Sequence, residues 1–136
     1  MAVKICIYGA GAIGGYLAAC LDDAGADVSL IARGSHLAAI QNYGLKIKIS
    51  EETRNYNLKA SNIPSDFGEQ DYVIIALKAH AITHITEEIG PLLGPNTAVV
   101  SAVNGLPWWY FFKANTNTEL DDKHLQCIDP GGRIWN

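Results

Sequence analysis

The sequence predicts an α/β fold: a parallel sheet flanked by helices, with an antiparallel hairpin added near residues 45–60. Three observations carry that reading. An apolar run, Lys4-Ile5-Cys6-Ile7-Tyr8, opens directly into Gly9-Ala10-Gly11-Ala12-Ile13-Gly14 and then into a helix-forming stretch, Tyr16 to Ala24. Two later runs, Tyr72 to Ala76 and Ala98 to Ala102, are almost unbroken in apolar residues, as central parallel strands covered on both faces require. Helix-period segments separate the strand-like runs, the alternation that builds parallel pairs.

The first strand and turn have the order of a dinucleotide site: strand, G-x-G-x-x-G, helix. Gly9 allows the tight exit from the strand, Gly11 lets a pyrophosphate approach the backbone, and Gly14 lets the helix pack close to the sheet. The helix N-terminus presents free N–H groups and partial positive charge to the phosphates. Residues Gly9, Ala10, Gly11, Ala12, Ile13 and Gly14 are therefore the first candidate binding segment, and Rossmann-type is the fold they imply. Ile13, Leu17, Cys20, Leu21 and Ala24 recur at helical spacing as the expected buried face, and Gly25 stops the helix.

Asp27 to Ala32 reads as the second strand. A NAD-type site expects an acid at its C-terminal end to accept hydrogen bonds from the adenosine ribose. Here that end reads Ile31-Ala32-Arg33-Gly34-Ser35-His36, and Asp27 lies at the opposite end. A guanidinium offers a 2′-phosphate a bidentate, charge-assisted partner, so Arg33 points to NADP(H) over NAD(H); a solvated surface arginine is the plainer alternative. Ser35 and His36 can add donors, with Ser35 also an expected N-cap for a short helix to Asn42, closed by Gly44.

Leu45 to Ser50 and Tyr56 to Ala60 read as two strands joined by the polar stretch Glu51 to Asn55, an antiparallel hairpin. Ile63 to Gln70 reads as a linker. Lys78 follows the Tyr72–Ala76 strand at the edge where open α/β sheets bind ligands, although a lysine at a helix entry is also an ordinary surface residue. A helix from Ala79 to Ile89 places Ile82, Ile85 and Ile89 on one face. It places His80 and His84 on the other, and that pair lacks the glutamate of a zinc motif, so no metal is expected. Leu92 to Asn96 reads as a Pro/Gly turn. Asn104-Gly105 then follows the last strand, where the Asn can bond a nicotinamide ribose or a substrate oxygen, or simply form a turn.

Composition excludes other classes. The 136 residues make one domain, 49% hydrophobic and 18% charged, with a net charge of −4, which provides no electrostatic footprint for nucleic acid or an anionic membrane. There is no signal-peptide core and no apolar run of membrane-spanning length. Three cysteines, an odd number, suit a reducing, cytoplasmic setting, with Cys6 and Cys20 expected as buried thiols and Cys127 lone in the tail. Five consecutive aromatics, Trp108-Trp109-Tyr110-Phe111-Phe112, cannot all face inward. Some should be covered by an ordered tail, another domain or a second copy, and self-association through this block is the expectation.

Together, Ile5 to Gly15, Ala32-Arg33-Gly34-Ser35-His36, Leu77-Lys78-Ala79 and Asn104-Gly105-Leu106-Pro107-Trp108-Trp109 resemble the N-terminal domain of ketopantoate reductases (2-dehydropantoate 2-reductases), over nearly the whole chain. The resemblance implies that Gly9 to Gly14 hold the pyrophosphate and Arg33 the 2′-phosphate. Lys78 would contact the nicotinamide half, and Asn104 both cofactor and substrate. It also implies NADPH-dependent reduction of a small 2-keto acid on the pantothenate route. That family carries a second, helical domain supplying the lysine general acid and most of the substrate pocket. No lysine here matches it, neither Lys113 nor Lys123, so no catalytic residue is expected among these residues, which read as a truncated or fragmentary cofactor domain. The alternative is a non-catalytic module that binds NADP(H) or only self-associates.

Overall fold

The computed structural model describes residues 2–135. The chain runs through β1 (Lys4–Tyr8), α1 (Ala12–Asp23), β2 (Asp27–Ile31), α2 (Gly34–Tyr43), β3 (Leu45–Ile49), β4 (Glu52–Tyr56), β5 (Lys59–Ser61), β6 (Gln70–Ile75), α3 (Ile82–Ile85) and β7 (Leu93–Ser101). Five strands form one parallel sheet in the order β5-β2-β1-β6-β7. The first strand is thus central, flanked by β2 on one side and β6 on the other. Alternation along β1 splits the core: Ile5 and Ile7 join Val28, Leu30 and Ala18 on one face, while Cys6 and Tyr8 join Ile31, Val73, Ile85 and Leu92 on the other. Ile7, Leu30 and Val73 are fully buried, each stabilising by about 1.5–3 kcal/mol over an exposed position.

Helix α1 follows the periodicity reading only in part: Leu17 and Leu21 pack against the core as expected, but the most buried positions are others. Its buried residues are Gly14, Gly15, Ala18 and Ala19, whereas Ile13 is 61% exposed and Cys20 is exposed. The smallest side chains face the sheet because only they allow the backbone so close. Cys20 is therefore not the buried thiol expected. Cys6 is, and burial pushes its thiol up to about 11.

The hairpin also departs from expectation. Its strands are β3 and β4, paired antiparallel from Leu45↔Tyr56 to Ile49↔Glu52 about a turn at Ser50-Glu51, so the polar stretch is strand rather than loop. The two strands form their own sheet. Residues 59–61 instead pair parallel with β2, as the edge of the main sheet. Ser35 does not cap α2: the cap position is Arg33, and Ser35 lies inside the helix.

The stretch after Lys78 is less helical than expected. Ala79–Ala81 is a 3₁₀ turn, α3 covers only Ile82–Ile85, and Gly90–Leu92 is a second 3₁₀ turn. Thr86 Oγ1 donates to the Thr83 carbonyl at 3.1 Å, a side-chain bond that competes with the helical ladder. Ile82, Ile85 and Ile89 nevertheless all pack into the second core cluster. The expected turn at 92–96 is partly strand, since β7 starts at Leu93 opposite Gln70, with a register shift before Tyr72↔Ala98.

Residues after β7 form turns that fold back on themselves. Trp135 meets Trp108 and Phe112 edge-on, with ring centroids 6.0 and 5.2 Å apart. The fully buried Asp129 accepts N–H bonds from Ile134 and Trp135, at 3.1 and 3.0 Å. Part of the aromatic block is thereby covered, while Trp109, Tyr110 and Phe112 stay 40%, 54% and 45% exposed. Among the described residues, no helix is long and apolar enough to cross a membrane.

Candidate functional site

The C-terminal ends of β1, β2 and β6 surround a cleft of about 380 Å³ lined by Tyr8, Gly9 to Gly11, Arg33, His36, Leu77, Lys78 and His84, among others. A larger depression, about 700 Å³, lies at the opposite sheet edge between Lys4, Asp71 and Gly94. Ligands of open α/β sheets bind outside the carboxyl ends of the strands, so the smaller cleft is the candidate site.

Two glycines fix its floor. Gly9 has φ +111°, and a Cβ there would lie 2.7 Å from Leu77 Cδ2 and 2.8 Å from the Ala76 carbonyl oxygen. A Cβ on Gly14 would overlap the Gly9 carbonyl oxygen and sit 3.1 Å from the Ala76 Cβ. Turn, helix and strand can therefore meet only without side chains at these positions. Gly11 is the helix N-cap, and a Cβ there would meet no protein atom within 4 Å. The space beside it is open. The first intrahelical bond closes from the Gly15 N–H to the Gly11 carbonyl at 2.7 Å. The N–H groups of Ala12, Ile13 and Gly14 thus form the unpaired first turn, where an anion is favoured. His36 Nε2 donates to the Ala10 carbonyl at 2.6 Å, pinning the loop at the cleft that His36 also lines.

Arg33 leaves the C-terminal end of β2 with its side chain 63% exposed and its Nη2 3.1 Å from Glu88 Oε2. The same carboxylate oxygen accepts from Tyr8 Oη at 3.0 Å. Tyr8 is 1% exposed, and burial, followed by the Glu88 carboxylate, pushes its phenol up to about 12. Lys78 is exposed at the head of the 3₁₀ turn after β6 and lines the cleft.

The structure thus brings Gly9, Ala10, Gly11, Arg33 and Lys78 around one cleft, with Ala12, Ile13 and Gly14 in the adjoining helical turn. Asn104 does not line it; it lines a narrow crevice next to it with Ala79, Trp108 and Ile128. His80 and His84 are both exposed, and among the described residues no three His, Cys, Asp or Glu side chains are arranged to hold a metal. Sequence reasoning missed Glu88 and Tyr8. Arg33 and Glu88 lie 55 residues apart, and the one available signal was the strand order, which sets β2 and β6 on either side of β1.

Known proteins resemble this chain closely. A family model described as ketopantoate reductase PanE/ApbA matches residues 5–107. A 2-dehydropantoate 2-reductase of Mesorhizobium japonicum is 48% identical over 134 residues, 98% of this chain and 40% of that protein. The crystal structure of a putative ketopantoate reductase from Ralstonia solanacearum superposes with a TM-score of 0.89 at 43% identity, covering 98% of this chain and 41% of that one. A D-mandelate dehydrogenase solved with NADH and anilino(oxo)acetate superposes with a TM-score of 0.71 at 27% identity, covering 77% and 35%. The chain spans about two-fifths of the length of the first of these relatives.

Proposed function

The chain belongs to the ketopantoate reductase PanE/ApbA family, and on that premise we propose that residues 1–136 are the NADPH-binding domain of a reductase of 2-dehydropantoate. The observation that carries this reading is the convergence of the Gly9–Gly14 turn and Arg33 on one cleft. The residues fit the cofactor: the space beside Gly11 is open where a pyrophosphate would approach, and the guanidinium stands at the end of β2 where an adenosine 2′-phosphate would lie. When bound, the nicotinamide supplies a hydride to the keto carbon.

The chain's own groups do the rest by position. N–H groups of the first α1 turn meet the pyrophosphate, assisted by the helix dipole. Arg33 neutralises the 2′-phosphate. Lys78, on the wall of the cleft, would face the nicotinamide half, and Asn104, in the separate crevice beyond it, would offer a neutral hydrogen bond where cofactor and substrate meet. Hydride arrival builds negative charge on the keto oxygen, which a positioned acid must meet; such acids contribute about 10²–10⁴ in rate. We assign that acid and the carboxylate-binding groups to the part of the relatives' length that these residues do not match. We also propose that the exposed Trp109, Tyr110 and Phe112 drive self-association.

Titration of the purified 136-residue chain with NADPH and NADH, followed by a ketopantoate assay, tests this reading. Saturable NADPH binding at least tenfold tighter than NADH, with turnover near background, is expected. Equal affinities would remove the Arg33 assignment, and robust turnover would place the acid among these residues. Sedimentation across a concentration series tests the association, and a monomer throughout would refute it.

A further inference from the structure

We propose that Glu88 sets how strongly the cleft separates a 2′-phosphorylated dinucleotide from its 2′-hydroxyl counterpart, by competing for Arg33. This rests on the assignment of Arg33 to the 2′-phosphate. The sequence lacks an acid at the end of β2, yet the fold supplies a carboxylate from the turn after α3, 3.1 Å from the Arg33 guanidinium. Glu88 does not line the cleft, so it acts on a ligand through Arg33. It is also held there: Tyr8, buried and with its phenol pushed up to about 12, donates to the same oxygen at 3.0 Å. A neutral, fixed donor keeps the carboxylate in place across the physiological pH range.

A phosphate arriving on Arg33 therefore meets an anion already in possession. Either the phosphate displaces Glu88, losing the ion pair and straining the Tyr8 bond, or both anions share one guanidinium and repel at short range. A cofactor with a free 2′-hydroxyl makes no claim on Arg33 and meets neither cost. Glu88 thus weakens the phosphorylated cofactor selectively. Arg33 and Glu88 are 63% and 49% exposed, so the effect is that of a solvent-screened pair.

The test is Glu88→Gln, which keeps an acceptor for Tyr8 and removes the charge. NADPH affinity should rise about two- to five-fold, the value of an exposed ion pair, with NADH unchanged. The gain should fade at 0.5 M salt and vanish in an Arg33→Ala background, as a double-mutant cycle requires of a coupled pair. Tyr8→Phe, which frees Glu88, should shift NADPH in the same direction by less. Weaker NADPH binding in Glu88→Gln would show that Glu88 orients Arg33 and would overturn the proposal. Equal shifts for both cofactors, no shift at all, or a gain that survives Arg33→Ala would overturn it too. Arg33→Ala by itself keeps the two claims apart. If it lowers NADPH affinity selectively while Glu88→Gln does nothing, the competition fails and the cofactor reading stands.

Discussion

Gly11→Ala and Gly14→Ala separate what the glycine turn does for the fold from what it does for a ligand. A methyl on Gly14 would overlap the Gly9 carbonyl oxygen and press on the Ala76 Cβ, both fixed by the sheet. Helix α1 must then lift from β1 and β6, an overpacking cost of about 1–3 kcal/mol. For a chain of this length each kcal/mol moves the melting temperature by about 3–5 °C, so a drop of about 3–15 °C is expected. A methyl on Gly11 meets no protein atom within 4 Å, and φ is −68°, so alanine is allowed there. Loss of a good N-cap residue and reduced unfolded-state entropy oppose each other, leaving stability within about 1 kcal/mol of wild type. The same methyl would occupy the space assigned to the pyrophosphate, and NADPH affinity should fall at least tenfold. Thermal melts and fluorescence titration of both variants decide the matter. Wild-type NADPH affinity in Gly11→Ala would remove the pyrophosphate from that space. An unchanged melt in Gly14→Ala would mean that α1 is not seated on the turn as described.

Arg33→Ala should weaken NADPH by at most about 3 kcal/mol, the upper range for a charged hydrogen bond, and leave NADH nearly unchanged; parallel titrations check this. Thiol labelling of the native chain should modify Cys20 and Cys127 quickly and Cys6 only on unfolding, because Cys6 is buried and its pKa is raised to about 11; three fast thiols would contradict the packing of β1. Tyr8, an acid whose folded pKa is raised from 10 to about 12, contributes stability that is present below pH 10 and lost as pH rises towards 12. Denaturant midpoints across that range should fall less steeply for Tyr8→Phe than for wild type.

The parallel sheet was legible because its strands carry dense apolar runs: Ile5 to Tyr8, Val28 to Ile31 and Tyr72 to Ala76 have few polar interruptions. β4 was not. Glu52–Tyr56 is exposed except at Tyr56, so its pairing with β3 rests on backbone bonds and leaves no hydrophobic alternation to read. The face of α1 was read only in part: Leu17 and Leu21 do pack against the core, but periodicity weights large side chains, whereas a helix this close to a sheet buries Gly14, Gly15, Ala18 and Ala19. In the candidate site, the glycine turn and Arg33 announce themselves by local spacing. Glu88 does not, because its partnership with Arg33 exists only once β2 and β6 stand on either side of β1.

The most direct test of the central claim is amide chemical-shift mapping of the 136-residue chain titrated with NADPH. The largest perturbations should cluster at Ala10 to Gly15, Arg33, Leu77 and Lys78, along the C-terminal edge of the sheet. Perturbations centred instead on Lys4, Asp71 and Gly94 to Thr97, at the larger depression on the opposite edge, would contradict it.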